Sequence, residues 1–357
     1  MFWNTKQLAF TSAHARTLRG LAVDEDGPGT ILRDFQSLLA FIRGRGLQVS
    51  KTYRLLPRKV LPELNAQMVR PLELGLKQPQ LKSFPHIEGL YLLLRATGLS
   101  VISGTPSRPI LAVDEALHES WCGLVSTERY FTLLETWLLR GRPEMLGEYR
   151  GFRAFERTFQ DCLSLIRGTP PEGLPIAGNE QVEGYVMYAP GRTGIALLEL
   201  FGFLSVDHGP PVRGQGWQIE RVHRTPRGEA VFALLYHQVF GDIHKVRELE
   251  EASQAKLGLL QPVFRPYVPA WQRNFDLPAW TYREGTHVFK VSLWRDLWRR
   301  IAVPAGLTLD ALAHAILVAY EFDHDHLYEF VYSDRYGLER RISHPFLEEK
   351  PRTDKVC

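Results

Sequence analysis

Residues 285–330 read GTHVFKVSLWRDLWRRIAVPAGLTLDALAHAILVAYEFDHDHLYEF, and this stretch carries the most specific folding pattern in the chain. From His287 to Trp294 the side chains alternate with a period of two, which predicts a half-buried β-strand. Aromatic and β-branched residues predict a second strand from Trp298 to Val303. The turn residues Pro304-Ala305-Gly306 then end that strand. The pattern therefore indicates two strands in succession.

A helix is predicted directly after these strands. Thr308 occupies the N-cap position, and Asp310 lies in the first turn, where a negative charge is favourable. The apolar residues that share one face of this helix are Leu309, Leu312, Ala313, Ile316, Leu317 and Tyr320. The chain then returns as a strand from Leu327 to Tyr332. The whole stretch thus predicts a β-hairpin, a helix and a further strand.

The order of these segments resembles the opening of the plasmid pRiA4b ORF-3-like domain. In that family a strand, a tryptophan-arginine-arginine strand, a Leu-Thr-Leu helix start and an aromatic-x-x-x-His-Leu-x-x-Phe segment follow one another. The residues that match the family motif here are Trp298, Arg299, Arg300, Leu307, Thr308, Leu309, His326 and Phe330. Phe322 departs from the motif, because the family usually has tryptophan there.

The resemblance covers about a fifth of the chain and implies that residues 282–357 are a partial domain. The second half of the family domain carries a Tyr-x-Tyr-Asp-Phe-Gly-Asp-x-Trp pattern, which does not occur before Cys357. An incomplete sheet leaves an unpaired edge, so we expect self-association or a protein partner at that edge. The family is found with plasmids and transposable elements and has no established activity, which implies a mobile-element-associated protein.

The composition indicates a folded protein without a strong charge bias. A length of 357 residues with 45% hydrophobic content suffices for two or three domains. The net charge of +3 is too small to indicate a polyanionic partner from bulk charge alone. Cys122, Cys162 and Cys357 are widely spaced, which argues against a disulfide framework or a zinc ribbon. No apolar run reaches the ~18 residues of a membrane span, so we expect a cytoplasmic protein with no membrane partner.

Helical patterns and Pro/Gly punctuation divide the rest of the chain. The predicted segments are an arm ending in a loop (1–30), a helical domain (31–167), a linker (168–179), a second domain (180–253) and a connector rich in proline and aromatic residues (254–281). The order helix, hairpin, helix occurs at 80–121 and again at 180–240, and it is the order of a winged helix. The predicted fold is α+β: a mainly helical N-terminal region with winged-helix-like units, followed by the first half of a β-hairpin/helix/strand sheet domain.

A winged helix raises the question of DNA binding. Base readout needs Arg, Lys, Asn or Gln on the helix that enters the groove. The helix predicted at Thr193–Phe201 offers almost only aliphatic residues and Glu199. A basic cluster near the following hairpin tip could instead contact phosphates, and it consists of Arg213, Arg221, Arg224 and Arg227. Protein–protein packing and a purely structural winged helix are the alternatives.

Potential metal ligands crowd together at Asp323-His324-Asp325-His326. On a strand His324 and His326 point to one face, and imidazole with carboxylate suits zinc or iron. The alternative is a structural His326 with solvated neighbours. Trp294 and Trp298 leave a similar choice, because they could stack on bases or a partner, or form core and cross-strand pairs.

Common catalytic signatures are absent from the sequence. It contains no His-Glu-x-x-His, no Gly-Lys-Ser/Thr phosphate loop and no Gly-x-Ser-x-Gly. We therefore assign no catalytic residue and no cofactor. The leading interpretation is a non-enzymatic, DNA-associated protein or a protein-interaction adaptor of a mobile element. The alternative is a metal-dependent or hydrolase-like enzyme with a site near His324 and His326.

Overall fold

The structure, a computed structural model, describes residues 9–105, 107–148, 154–277, 282–323, 327–344 and 346. The fold is α+β with small antiparallel sheets, as the sequence predicts. The chain divides into two compact units. The N-terminal unit comprises Met1–Pro278 with Arg335–Gly337, and the C-terminal unit comprises Ala279–Asp334 with Leu338–Cys357. Within the described residues, no helix combines the length and the apolarity needed to cross a bilayer.

The N-terminal unit is mainly helical. Its helices are α1 (Ser12–Arg19), α2 (Ile31–Ile42), α3 (Leu61–Ala66), α4 (Pro85–Ala96), α5 (Glu115–Cys122), α6 (Ser126–Leu139), α7 (Ala154–Gly168), α8 (Glu180–Val186), α9 (Arg192–Leu200), α10 (Pro226–Leu235), α11 (Ile243–Ala252) and α12 (Gln261–Phe264). Its strands are β1 (Leu47–Gln48), β2 (Ser100–Thr105), β3 (Arg108–Val113), β4 (Leu174–Pro175), β5 (Leu204–His208) and β6 (Ile219–Arg224). Helix α1 lies within residues 1–30, for which the sequence predicts an arm and a loop. A reciprocal cap between Thr11 and His14 starts it.

The N-terminal unit contains one arrangement of elements twice. In the first repeat the order is α2, β1, α3, α4, β2, β3, and the sheet order is β1-β3-β2. In the second repeat the order is α7, β4, α8, α9, β5, β6, and the sheet order is β4-β6-β5. Each hairpin leads into a helix with a side-chain cap, from Asp114 for α5 and from Thr225 for α10. The recurrence expected from the sequence is therefore present and extends to the sheet order.

The two repeats meet through their third helices, α4 and α9. Every residue of α4 is buried. Gly89 permits the close approach, since a Cβ there would lie 2.8 Å from Cγ of Leu197. Gly98 and Gly202 follow the two helices with φ of +77° and +72°, the left-handed conformation that ends a helix and turns the chain into β2 and β5.

Helix α6 carries much of the remaining core. Tyr130 donates a hydrogen bond of 2.8 Å to the carbonyl of Phe201, and Trp137 stacks on the Phe201 ring at 5.5 Å. Two buried glutamates of α6 hold the chain that follows α11. Glu135 accepts from the backbone N–H groups of residues 258–260, and Glu128 accepts from the N–H of Arg273. Both side chains are thus buried with hydrogen-bond partners, as the burial of polar groups requires.

The C-terminal unit contains β7 (Thr286–Ser292), β8 (Trp298–Pro304), α13 (Leu309–Ala319), β9 (Glu329–Ser333) and β10 (Glu339–Ser343). The first two strands form one antiparallel hairpin, and the last two form another. Thr308 caps α13 by accepting a hydrogen bond from the N–H of Ala311, which confirms the predicted start of this helix. The β-hairpin, helix and strand follow in the expected order.

Candidate functional site

Three side chains that can bind metal ions converge in the N-terminal unit. His86 is the second residue of α4, Glu199 lies in the last turn of α9, and His208 ends β5. Each offers one ligand atom, and these atoms all lie within 4.8 Å of one another. We call this set the His-Glu-His cluster. Two of its three members come from the second repeat and one from the first.

The carboxylate of Glu199 lies between the two imidazoles. His86 Nε2 is 2.8 Å from Glu199 Oε2, and His208 Nε2 is 3.1 Å from Oε1. Because a carboxylate only accepts hydrogen bonds, each Nε2 donates its proton in this geometry. Arg70 Nη1 adds an ion pair at 3.3 Å from Oε1. The side chains of His86 and Glu199 are only 8% and 9% exposed, so these interactions are largely shielded from water.

The surroundings keep Glu199 charged. Burial acts against the carboxylate, but hydrogen bonds from His208 and His86 and their charges outweigh it and lower the pKa of Glu199 from 4.5 to about 2. A metal ligand must be deprotonated, and this carboxylate has no proton to lose at neutral pH. The carboxylate of Glu199 is therefore ready to accept a cation once the two imidazoles are neutral.

Local structure explains why these side chains point inward. Pro85 suits the first position of α4 and fixes the direction of His86. Gly202 reverses the chain after α9, so that β5 runs back past Glu199. The pairing of β5 with β6 shifts register between Asp207 and His208, and such a bulge redirects a side chain. The Trp217 ring lies 4.9 Å from His86 and 5.3 Å from His208 and packs against both imidazoles.

His86 and Glu199 also line a cleft of about 220 Å³. Thr30, Ser205 and Thr225 are among its other lining residues. Arg70 and Arg227 line it as well, and the Arg70 side chain is 64% exposed. The acidic groups Asp34 and Glu199 line it too, so the cluster borders a space that is open to solvent and lined by charges of both signs.

The donor set suits a transition metal. Two imidazoles and a carboxylate are ligands of Zn²⁺ and Fe²⁺ sites. Tetrahedral ligands of zinc lie about 3.3 Å from one another, and Oε2 of Glu199 lies 2.8 Å from Nε2 of His86 and 3.2 Å from Nε2 of His208. His86 Nδ1 is buried without a hydrogen-bond partner among the described residues. No second group there fixes the tautomer, so the proton can move to Nδ1 and free Nε2 for a metal.

The structure does not bring the four arginines of the predicted basic cluster into one patch. Arg221 and Arg224 are three residues apart on β6 and so point to opposite faces. Arg221 donates to backbone carbonyls of residues 172–173, and Arg224 pairs with Glu229 at 2.6 Å. Arg227 lines the cleft, and Arg213 is exposed at the hairpin tip.

Four of the family-motif residues lie on the two hairpins of the C-terminal unit. Trp298, Arg299 and Arg300 begin β8, and Phe330 belongs to β9. Trp298 is 44% exposed and Trp294 is 76% exposed, so neither is a core residue. His324 and His326, where the sequence favours a metal site or a structural histidine, lie outside the described residues.

Sequence reasoning missed the His-Glu-His cluster because its members share no local motif. His86 and Glu199 are 113 positions apart, and only the packing of α4 on α9 brings them together. The sequence does contain a weaker indication of the cluster, namely ionisable residues within apolar helices. Glu199 interrupts an aliphatic run in α9, and His86 lies in a helix that is buried on every side. An ionisable residue in such a position needs a buried partner.

Residues 287–355 match the family model described as Plasmid pRiA4b ORF-3-like protein. This match confirms the resemblance based on the tryptophan-arginine-arginine strand and the helix that follows it. It covers neither of the two repeats and no member of the His-Glu-His cluster. No curated protein and no solved structure matches the chain.

Proposed function

We propose that this chain, whose residues 287–355 match the family model described as Plasmid pRiA4b ORF-3-like protein, is a mobile-element-associated protein that binds a divalent metal ion. The family assignment carries no activity with it. The proposal of metal binding therefore rests on the N-terminal unit. Its metal centre consists of His86, Glu199 and His208.

One observation carries the proposal: three ligand atoms from α4, α9 and β5 converge within 4.8 Å beside an open cleft. Three protein ligands leave one position of a tetrahedral zinc site for water or an exogenous ligand. A divalent cation and Arg70 together outweigh the charge of Glu199. The open position therefore favours hydroxide or an anionic ligand, which is the arrangement of hydrolytic metal sites.

Metal titration of the purified, chelator-treated full chain tests the proposal. We expect one Zn²⁺ per chain by calorimetry and by elemental analysis. His86→Ala and His208→Ala each remove a ligand and should weaken binding by at least about tenfold. His223→Ala is the matched control, because it removes a histidine that is paired with Asp207 at 2.8 Å on the neighbouring strand. That variant should keep the stoichiometry and affinity of the wild type.

A hydrogen-bonded cluster without a metal role makes a different prediction. In that case His208→Ala lowers the melting temperature but leaves zinc binding as it is in the wild type. Saturating zinc should instead raise the melting temperature of the wild type and of His223→Ala, and leave that of His86→Ala unchanged. Equal zinc affinity in the wild type and in both cluster variants contradicts the proposal.

A second candidate function is association with DNA, which the repeated order of elements favours. We propose that both repeats are winged-helix-like units, each with a helix, strand, two helices and a hairpin. Helices α4 and α9 occupy the place of groove-reading helices. Because α4 is fully buried against α9, it is not available for base readout. Contact with DNA would therefore go through phosphates at the tip around Arg213.

Anisotropy measurements with a labelled duplex over a range of salt concentrations test this candidate. Each phosphate contact adds about −0.9 to the slope of log affinity against log salt. Arg213→Ala should reduce the slope by about one contact. Arg58→Ala removes an exposed arginine of the first repeat and should leave it unchanged. A duplex that does not bind at low salt, or binds without a salt slope, removes this candidate.

A further inference from the structure

The β7–β8 hairpin has two chemically different faces. Lys290 pairs with Arg300 across the strands, and Ser292 pairs with Trp298. Since successive residues of a strand point to opposite sides, one face of the hairpin consists of Val288, Lys290, Ser292, Trp298, Arg300 and Ala302. We call this the basic face of the hairpin.

Helix α13 covers the other face. Ile301 and Val303 on that side are buried, at 8% and 7% exposure. Arg299 also points there, because its guanidinium lies 5.3 Å from the centre of the Tyr320 ring. The hydroxyl of Tyr320 donates to the carbonyl of Val291 at 2.7 Å. Helix α13 thus covers the β8 side of this face, while Phe289 on β7 stays 42% exposed.

The basic face holds two positive charges directly opposite each other. Like charges in this position destabilise a sheet. A bound anion would relieve the repulsion between Lys290 and Arg300. Among the described residues, no carboxylate forms an ion pair with Lys290 or Arg300. The ammonium of Lys290 instead lies 4.9 Å from the centre of the Trp298 ring. Both basic side chains are exposed and available to a ligand.

The same hairpin also carries two exposed tryptophan rings. Trp298 is 44% exposed, and Trp294, in the turn between the strands, is 76% exposed. A sheet that combines exposed aromatic rings with lysine and arginine is typical of single-stranded nucleic-acid binding, because bases stack on the rings and phosphates meet the cations.

We propose that the basic face of the β7–β8 hairpin binds single-stranded nucleic acid. Trp298 and Trp294 stack on unpaired bases, and Lys290 and Arg300 neutralise the phosphates. A duplex keeps its bases stacked inside the helix, where the indoles cannot reach them. An acidic peptide satisfies the charges but offers no flat partner to the indoles. The site is separate from the His-Glu-His cluster and does not depend on duplex binding by Arg213.

A labelled oligothymidylate of ~12 nucleotides, titrated into the full-length protein, tests the proposal. We expect quenching of tryptophan fluorescence and a salt slope of about −0.7 for each phosphate contact. Arg300→Gln and Lys290→Gln should each reduce this slope by about one contact. Trp298→Ala should weaken binding at least tenfold while the slope stays the same. Trp298→Phe retains a ring and should recover part of the affinity.

Arg299→Gln is the matched control, since it removes the same charge from the neighbouring residue on the face covered by α13. If it weakens binding as much as Arg300→Gln does, bulk charge explains the binding and the proposal fails. Equal or tighter binding of a blunt duplex, or of polyglutamate, also overturns it. Self-association that Trp298→Ala abolishes assigns the face to a second copy of the chain. Excess chelator, like His86→Ala, should leave oligonucleotide affinity unchanged, which separates this site from the metal centre.

Discussion

At the scale of single residues, Glu135 shows how burial couples this fold to pH. Its carboxylate accepts three backbone hydrogen bonds, yet burial outweighs them and raises the pKa of Glu135 from 4.5 to about 7. A group with a higher pKa in the folded state binds more protons when folded. Its contribution to the free energy of unfolding is therefore complete below pH 4.5 and is lost as pH rises through 7.

Glu135→Gln should remove this dependence, because glutamine does not titrate. The free energy of unfolding of the wild type minus that of the variant should fall by about 3 kcal/mol between pH 4.5 and pH 8. Urea unfolding at a series of pH values measures this difference. Glu128 provides the control of opposite sign. Its burial raises its pKa, but hydrogen bonds from Val125 and Arg273 prevail and lower it below 4.5.

The stabilisation from Glu128 is present above pH 4.5 and is lost as pH falls below that value. Glu128→Gln should therefore differ from the wild type mainly at neutral pH, and the difference should shrink on acidification. The two variants thus deviate from the wild type in opposite pH ranges. Parallel pH profiles for the wild type and Glu135→Gln would show that Glu135 titrates alike in the folded and unfolded chain.

At the level of helices and strands, the sequence predicts those features that depend on a few neighbouring residues. Thr308 forms the expected cap of α13, and Thr225 caps α10 in the same way, because a cap depends on a few adjacent residues. The alternation from His287 to Trp294 likewise predicts the strand β7, but the expected half-burial is wrong, because almost every residue of β7 is exposed. Strands β1 and β4 have only two residues each, and they exist because β3 and β6 offer them an edge. No periodicity can reveal strands of that length.

The His-Glu-His cluster likewise could be predicted only where it depends on neighbouring residues. Glu199 and His208 are visible in the sequence as polar residues near the predicted hairpin, but the residue that completes the cluster, His86, belongs to the other repeat. Its position depends on the contact between α4 and α9, which requires a glycine at position 89. Tertiary packing thus creates the cluster, whereas the basic face of the β7–β8 hairpin arises from local pairing and could be anticipated from alternation alone.

At the scale of the whole molecule, the two proposed ligands act on different units, and one experiment can separate them. Hydrogen exchange followed by mass spectrometry reports local opening along the chain. Zinc at about 100 times its dissociation constant adds about 2.7 kcal/mol to the stability of the form that binds it. We therefore expect zinc to slow exchange in α4, α9 and β5, and an oligothymidylate to slow exchange in β7 and β8.

The variants make this prediction specific. His86→Ala should abolish the effect of zinc and preserve that of the oligonucleotide, while Arg300→Gln should do the reverse. Protection of β7 by zinc alone would mean that a metal binds in the C-terminal unit and would contradict its assignment to the His-Glu-His cluster. If the oligonucleotide instead protects the tip around Arg213, nucleic acid binds to the second repeat. The position of the protected peptides thus decides which unit of this protein carries each function.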